Sequence, residues 1–188
     1  YDLALDSNDN IIVTGFSSNG VNHKGRGAYT YYAIKYDKNG NKLWGAKWGK
    51  PYYAESYGVA VDSKDNIVFT GFVFRNNNYD IYTLKCDPNG KILWEDYYSK
   101  SNYDRPYAIT TDSKNNIIIV GTTLNYGSNY DFLILRYDEK GKLISEALYD
   151  FGENDIAYGV TVDSQDNLYI TGGCRTDSWN YKTIKLKY

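Results

Sequence analysis

The 188-residue sequence predicts an all-β protein, a β-propeller of four repeat units or an arc of a larger propeller. Three observations predict it. The composition, with 22 Tyr and 17 Gly against 3 Pro and no Met, suits strands and turns better than helices. One motif recurs four times without a gap, at a spacing of some fifty residues, which is the range of propeller blades. The strands closing the motif are apolar on both faces, which requires sheet packed on either side. A two-layer β-sandwich is the alternative fold.

The four copies are YDLALDSNDNIIVTG from Tyr1, YGVAVDSKDNIVFTG from Tyr57, YAITTDSKNNIIIVG from Tyr107 and YGVTVDSQDNLYITG from Tyr158. They define units 1–56, 57–106, 107–157 and 158–188 of a single domain. In the second unit Tyr57 to Val61 reads as a first strand, Ser63 to Asn66 as a tight polar turn and Ile67 to Val73 as a β-branched second strand. Tyr79 to Cys86 is the third. Asp87-Pro88-Asn89-Gly90 makes another tight turn, with Pro setting φ and Gly free to take positive φ, and Ile92 to Tyr98 is the fourth strand. Each unit is thus a four-stranded antiparallel blade.

Third strands alternate apolar and basic residues: Ile34 and Tyr36 about Lys35, Leu135 and Tyr137 about Arg136, Ile184 and Leu186 about Lys185. That pattern places them near the rim. The second block ends in Trp44 and Trp94 in the first two units, and the third puts Ile144 in the tryptophan position. The fourth unit stops at Tyr188 before its copy, so the last blade lacks its outer strand. That strand is expected from the parent protein or a partner copy, with self-association along the Thr183–Tyr188 edge. With no Met, the chain reads as a mature piece or an excerpt.

The complete motif, Y-G-V-x-V-D-S-x-D-N-x-x-x-T-G at Tyr57 to Gly71 and Tyr158 to Gly172, resembles the bacterial and archaeal seven-bladed β-propeller repeat family called SBBP. The family commonly has Gly before the Asn of the first turn, where this chain has Asp9, Asp65, Asn115 and Asp166. The resemblance implies a secreted or cell-surface protein whose repeats serve as scaffold or binding module, without catalytic residues. A fainter similarity links Asp37, Gly40 and Trp44, and Asp87, Gly90 and Trp94, to the docking motif of quinoprotein dehydrogenase propellers, with a turn one residue shorter.

Charge and hydropathy exclude some classes. With 21 Lys and Arg against 23 Asp and Glu, the chain carries no field of one sign to attract nucleic acid or an anionic membrane. No apolar stretch is long enough for a membrane span. Cys86 and Cys174 fall at different phases of different units, so two free thiols and no disulfide are expected. His23, the lone histidine, sits in an insertion without companions and reads as solvated. Asp6, Asn8 and Asn10 have the start of a calcium loop, repeated at Asp37, Asn39 and Asn41, but Ile11 and Ser17 occupy the positions where such a loop needs Gly and Glu. They read as turn formers. Asp6, Asp62, Asp112 and Asp163 recur once per unit and are expected to accept backbone N–H groups of the turn. No catalytic residue, metal or cofactor is expected.

Loops joining strands two and three, and strand four to the next unit, must emerge at one end of an up-and-down blade, opposite the tight turns. That long-loop face collects aromatic and cationic residues suited to a glycan or protein ligand: Trp48, Tyr53, Arg75, Tyr103, Arg105, Tyr126, Arg175 and Trp179. The expected function is a non-enzymatic extracellular binding or scaffolding propeller. Two alternatives are a quinoprotein-like or lyase-like propeller enzyme and an architectural repeat of a surface filament or layer.

Overall fold

A computed structural model describes residues 1–21, 27–48, 53–125 and 129–187. Among them are fifteen strands. The first blade comprises β1 (Asp2–Leu5), β2 (Ile11–Val21), β3 (Gly27–Tyr36) and β4 (Lys42–Trp48). The second holds β5 (Ala54–Val61), β6 (Ile67–Arg75), β7 (Asn78–Cys86) and β8 (Ile92–Tyr98). In the third are β9 (Asp104–Thr111), β10 (Ile117–Leu124), β11 (Tyr130–Tyr137) and β12 (Leu143–Tyr149), and the fourth has β13 (Asn154–Val162), β14 (Leu168–Arg175) and β15 (Trp179–Leu186). Each blade is an antiparallel meander in chain order, and the last two join through a parallel bridge between Tyr130 and Asn154. First strands start before Tyr57, Tyr107 and Tyr158, so the unit boundaries drawn from the sequence fall inside β5, β9 and β13.

The core is three layers, one between each pair of successive blades. Ile12, Tyr31 and Ala33 meet Phe69, Tyr82 and Leu84 in the first; Val68 and Ile81 meet Ile119 and Leu133 in the second; Val120 and Phe132 meet Leu168 and Ile170 in the third. None of these layers joins the first blade to the fourth. The second strands of the two inner blades are accordingly buried on both faces, as their composition requires, whereas β14 alternates and Val13 of β2 is 37% exposed.

Two expectations about the strands need correction. In the first three blades the third strands do not lie at the rim: Lys35 and Lys85 are buried, because each reaches a buried carboxylate, and the half-exposed β4, β8 and β12 form the outer edge, whereas β15 of the fourth blade alternates at an open edge. Ser145, not Ile144, faces Arg136 as Trp44 faces Lys35, so serine holds the tryptophan position in the third blade. In the fourth blade β15 pairs with β14 and has no second neighbour among the described residues; Tyr188 lies outside them.

The tight-turn end repeats one piece of chemistry. Asp62 Oδ1 accepts the Lys64 and Asn66 backbone N–H groups at 2.9 Å while Oδ2 accepts the Asn66 side-chain amide and meets Lys85 Nζ at 2.7 Å. Asp6 with Lys35 and Asp112 with Arg136 do the same, whereas Asp163 and Lys185 stand 4.0 Å apart and partly exposed. These bonds hold the carboxyl groups below their ordinary pKa against the opposing effect of burial, Asp6 at about 2. At the third position after each turn aspartate, Asp9, Asp65, Asn115 and Asp166 all take φ near 60°, a region that Asn and Asp tolerate. Their side chains also have work between blades: Ser7 N and Oγ donate to Asp65 at 2.9 and 2.6 Å, and Ser113 does likewise to Asp166. Trp44 and Trp94 complete the join, their indole N–H groups donating to Pro88 O and Glu139 O of the following blade.

Candidate functional site

The site is prepared by a bulge. In β5, β9 and β13 the register slips at Tyr57, Tyr107 and Tyr158, which are left unpaired against β6, β10 and β14. Facing each bulge is the glycine that ends the sequence motif. A Cβ on Gly71, Gly121 or Gly172 would strike the carbonyl oxygen of Glu55, Arg105 or Ile156, so only glycine lets the bulged strand cross. The extra residue re-aims the tyrosine, and the four equivalent rings form a ladder across the innermost strands: Tyr1 to Tyr57 at 5.1 Å, Tyr57 to Tyr107 at 6.2 Å and Tyr107 to Tyr158 at 5.3 Å.

From this ladder a belt of rings runs outward over the long-loop end. Tyr1, Phe16, Tyr29, Tyr53, Phe72, Tyr79, Tyr103 and Tyr130 touch in that order with centroids 4.9 to 5.6 Å apart. Arg105 lies among them, its guanidinium 4.2 Å from the Phe72 ring centroid and 5.2 and 5.1 Å from those of Tyr79 and Tyr103. These are cation–π distances. Its Nε is buried and makes no hydrogen bond. One strand away, the buried Glu55 accepts the Tyr57 hydroxyl at 3.1 Å. Burial first, and the Glu55 carboxylate beside it, push Tyr53 up to about 12 and also raise Tyr1 and Tyr57. The Tyr57 hydroxyl donates to Glu55 and leaves its oxygen lone pairs to accept.

Glu55 and Arg105 occupy the same place in their repeats, two residues before the ladder tyrosine, and the fourth blade has Ile156 there. An acid, a base and an aliphatic residue at one repeat position break the symmetry of the end. The arrangement can hold a polar ligand by stacking on rings while the guanidinium and the tyrosine hydroxyls donate hydrogen bonds.

The residues expected on this face are only partly brought together. Tyr53, Tyr103 and Arg105 share the belt. Trp48 belongs instead to the end of β4, where it packs on Trp44 and Phe69 within the first core layer. Arg75 pairs with Asp80 and covers the Tyr97 ring, because β6 and β7 are joined by the two-residue turn Asn76-Asn77, both at positive φ, and not by a long loop. Arg175 lies 3.5 Å from Glu153, and its strand partner Trp179 lines a shallow hollow of about 270 Å³ with Tyr158 and Tyr181 on the open face of the fourth blade. Tyr126 and His23 lie outside the described residues. Sequence reading missed the tyrosine ladder and Glu55. The signal was present in the initial Tyr of each repeat and in the residues just before it.

Two carboxyl groups depart in the other direction from the turn aspartates. Burial, with Asp150 adding repulsion, raises the pKa of Asp131 and Asp155 at the junction of the third and fourth blades.

No family model matches the chain. A WD repeat-containing protein of Acanthamoeba polyphaga mimivirus is 33% identical over 81 residues, a match taking in 37% of this chain and 6% of the relative's length. Among solved structures, a gluconolactonase from Xanthomonas campestris superposes with a TM-score of 0.52 at 13% identity, covering 91% of this chain and 53% of that one. A protein of unknown function from Bacteroides caccae gives a TM-score of 0.50 at 12% identity, covering 90% of this chain and 61% of that one. The chain thus spans about half to three-fifths of these two structures, and the likeness is one of fold. An all-β, repeat-built, propeller-like architecture stands on these matches and on the blades themselves.

Proposed function

We propose that the protein is a non-enzymatic binding or scaffolding propeller that takes a glycan on the tyrosine belt around Arg105 and Glu55. The observation that carries the reading is Arg105: a guanidinium laid on three rings with a buried Nε left unbonded, at a position where the neighbouring repeats hold an acid and an aliphatic residue. Sugars present apolar C–H faces to aromatic rings and hydroxyls to charged groups, and this surface offers both partners. Exposed Tyr1 and Tyr158, at 68% and 52%, leave the ends of the ladder open to solvent. Kinship with the SBBP repeats, and the extracellular or cell-surface location that this implies, belong to the same proposal.

Glycan-array binding tests it. Arg105→Ala and Tyr103→Ala are expected to abolish the signal, while Lys64→Ala on the tight-turn end leaves it intact. Binding that survives both changes at the belt, or is lost with Lys64→Ala, sinks the proposal.

A further inference from the structure

Successive blade junctions can be compared residue by residue, because the repeat puts equivalent groups in equivalent places. Between the second and third blades, Asp80 of β7 and Asp104 of β9 are buried. Arg75 Nε pairs with Asp80 Oδ2, and Asp80 Oδ1 is buried without a hydrogen bond. Asp104 accepts Lys100 N at 2.7 Å, Ser101 N at 2.9 Å, Ser101 Oγ at 3.0 Å and Thr123 Oγ1 at 2.5 Å, so both of its oxygens are engaged. Between the third and fourth blades the same two positions are Asp131 of β11 and Asp155 of β13, again 2% and 0% exposed.

The compensating groups have changed. Asn125 stands where the first pair has Arg75, Gly152 where it has Ser101, and Cys174 where it has Thr123, facing Asp155 across the strands as Thr123 faces Asp104. A cation and two hydroxyl donors are gone. In their place comes a third acid, Asp150, at the position of Ser99. What remains is Asn125 Nδ2 to Asp131 Oδ2 at 2.7 Å, Phe151 N to Asp155 Oδ2 at 2.6 Å and Gly152 N to Asp150 Oδ1 at 2.9 Å. Asp155 Oδ1 is buried with no hydrogen-bond partner. A carboxylate oxygen left so has lost its hydration without a compensating bond. Lys182, a nearby cation, lies 4.6 Å over the Phe151 ring.

We propose that Asp131, Asp150 and Asp155 form a calcium site that clamps the fourth blade to the third. One carboxylate oxygen from each lies within 4.8 Å of the other two, which is the most that two oxygens can be apart when both are about 2.4 Å from one ion. The donor set is all oxygen and holds no imidazole, which suits a hard cation. Asp131 and Asp155 supply the buried floor. Asp150, exposed, supplies the entry and the outer ligand, with water completing the shell. The ion takes over the role that Arg75 fills at the preceding junction, and gives the orphaned Asp155 oxygen its partner.

The test uses the whole chain after chelation. Adding calcium chloride is expected to raise the thermal midpoint by several degrees in a saturable way, with one ion per chain in isothermal titration. Terbium at the same site should luminesce on tyrosine excitation through the adjacent Tyr149, and calcium should quench that signal. Asp150→Asn, an exposed change that leaves the buried pair in place, should abolish both effects, while Asp138→Asn on a tight turn should not. Absence of binding at millimolar calcium overturns the proposal. So does a calcium shift that persists in Asp150→Asn, or a shift with magnesium or zinc where calcium gives none.

Discussion

At the tight-turn end Asp6, Asp62, Asp112 and Asp163 perform one task in four blades, whereas at the long-loop end the equivalent inner positions hold Glu55, Arg105 and Ile156. The two ends of the same strands are under different demands. Turn closure and blade docking are needed once per blade, so one solution repeats: every turn carboxylate binds its own backbone, and those of the first three blades also pair closely with their own cation. The long-loop end has no such task in common. There the repeat supplies a uniform base, the bulge, the glycine and the ladder tyrosine, and individual residues differ on top of it. At this end Arg105 Nε, Asp80 Oδ1 and Asp155 Oδ1 are buried without a hydrogen bond.

The comparison is sharpest at the buried ion pairs. Lys85 and Asp62 have side chains 3% and 0% exposed, while Lys185 and Asp163 are 44% and 32% exposed. Removing one member of a buried pair strands the other charge and costs about 3–5 kcal/mol. Lys85→Ala is therefore expected to lower the urea midpoint strongly, and Lys185→Ala to leave it unmoved. Equal losses would mean that the turn end is held by something other than its buried charge, and would break the contrast.

A second, smaller effect probes the base of the long-loop end. Gly121→Ala forces a Cβ onto the Arg105 carbonyl oxygen, and over-packing of this kind costs about 3 kcal/mol. Because the bulge must relax, Tyr107 and Arg105 move with it. Circular dichroism of the tyrosine belt and glycan binding are both expected to change along with the unfolding midpoint; a change in stability with the belt unaltered would separate bulge from site.

The fold was legible because its causes are local and repeated. A tight turn demands Asp and a positive-φ residue, which the chain repeats in all four blades; the continuous apolar run also recurs four times, although only β6 and β10 are covered on both faces. Third strands misled because burial of Lys85 depends on Asp62, more than twenty residues away, and alternation by itself cannot tell a buried paired lysine from a solvated one. Trp48 and Arg75 misled for a related reason. Each is adjacent in sequence to a loop, yet Trp48 finds Phe69 on the next blade and Arg75 finds Asp80 across a hairpin shorter than the spacing suggested. The belt itself went unread because a bulge leaves no mark in composition: Tyr57 looks like ordinary strand filler until the register slip turns it toward Tyr1 and Tyr107.

The smallest expected effect concerns the clasp between neighbouring tight turns. Ser113 donates to Asp166 through both its backbone N–H and its hydroxyl, at 2.9 and 2.6 Å, whereas Ser63 reaches Asn115 through its backbone N–H alone. The backbone bond survives substitution in either case. Ser113→Ala therefore loses one hydrogen bond to a carboxylate at an exposed site, about 1 kcal/mol, and Ser63→Ala loses none between blades. Urea unfolding of the two variants separates the blade-to-blade contribution from the intrinsic preference of serine for a turn, which is common to both. A loss confined to Ser113→Ala means the repeated end acts as a chain of inter-blade bonds. Equal losses would assign serine to its own turn, and the repetition at this end would then reflect each blade closing by itself.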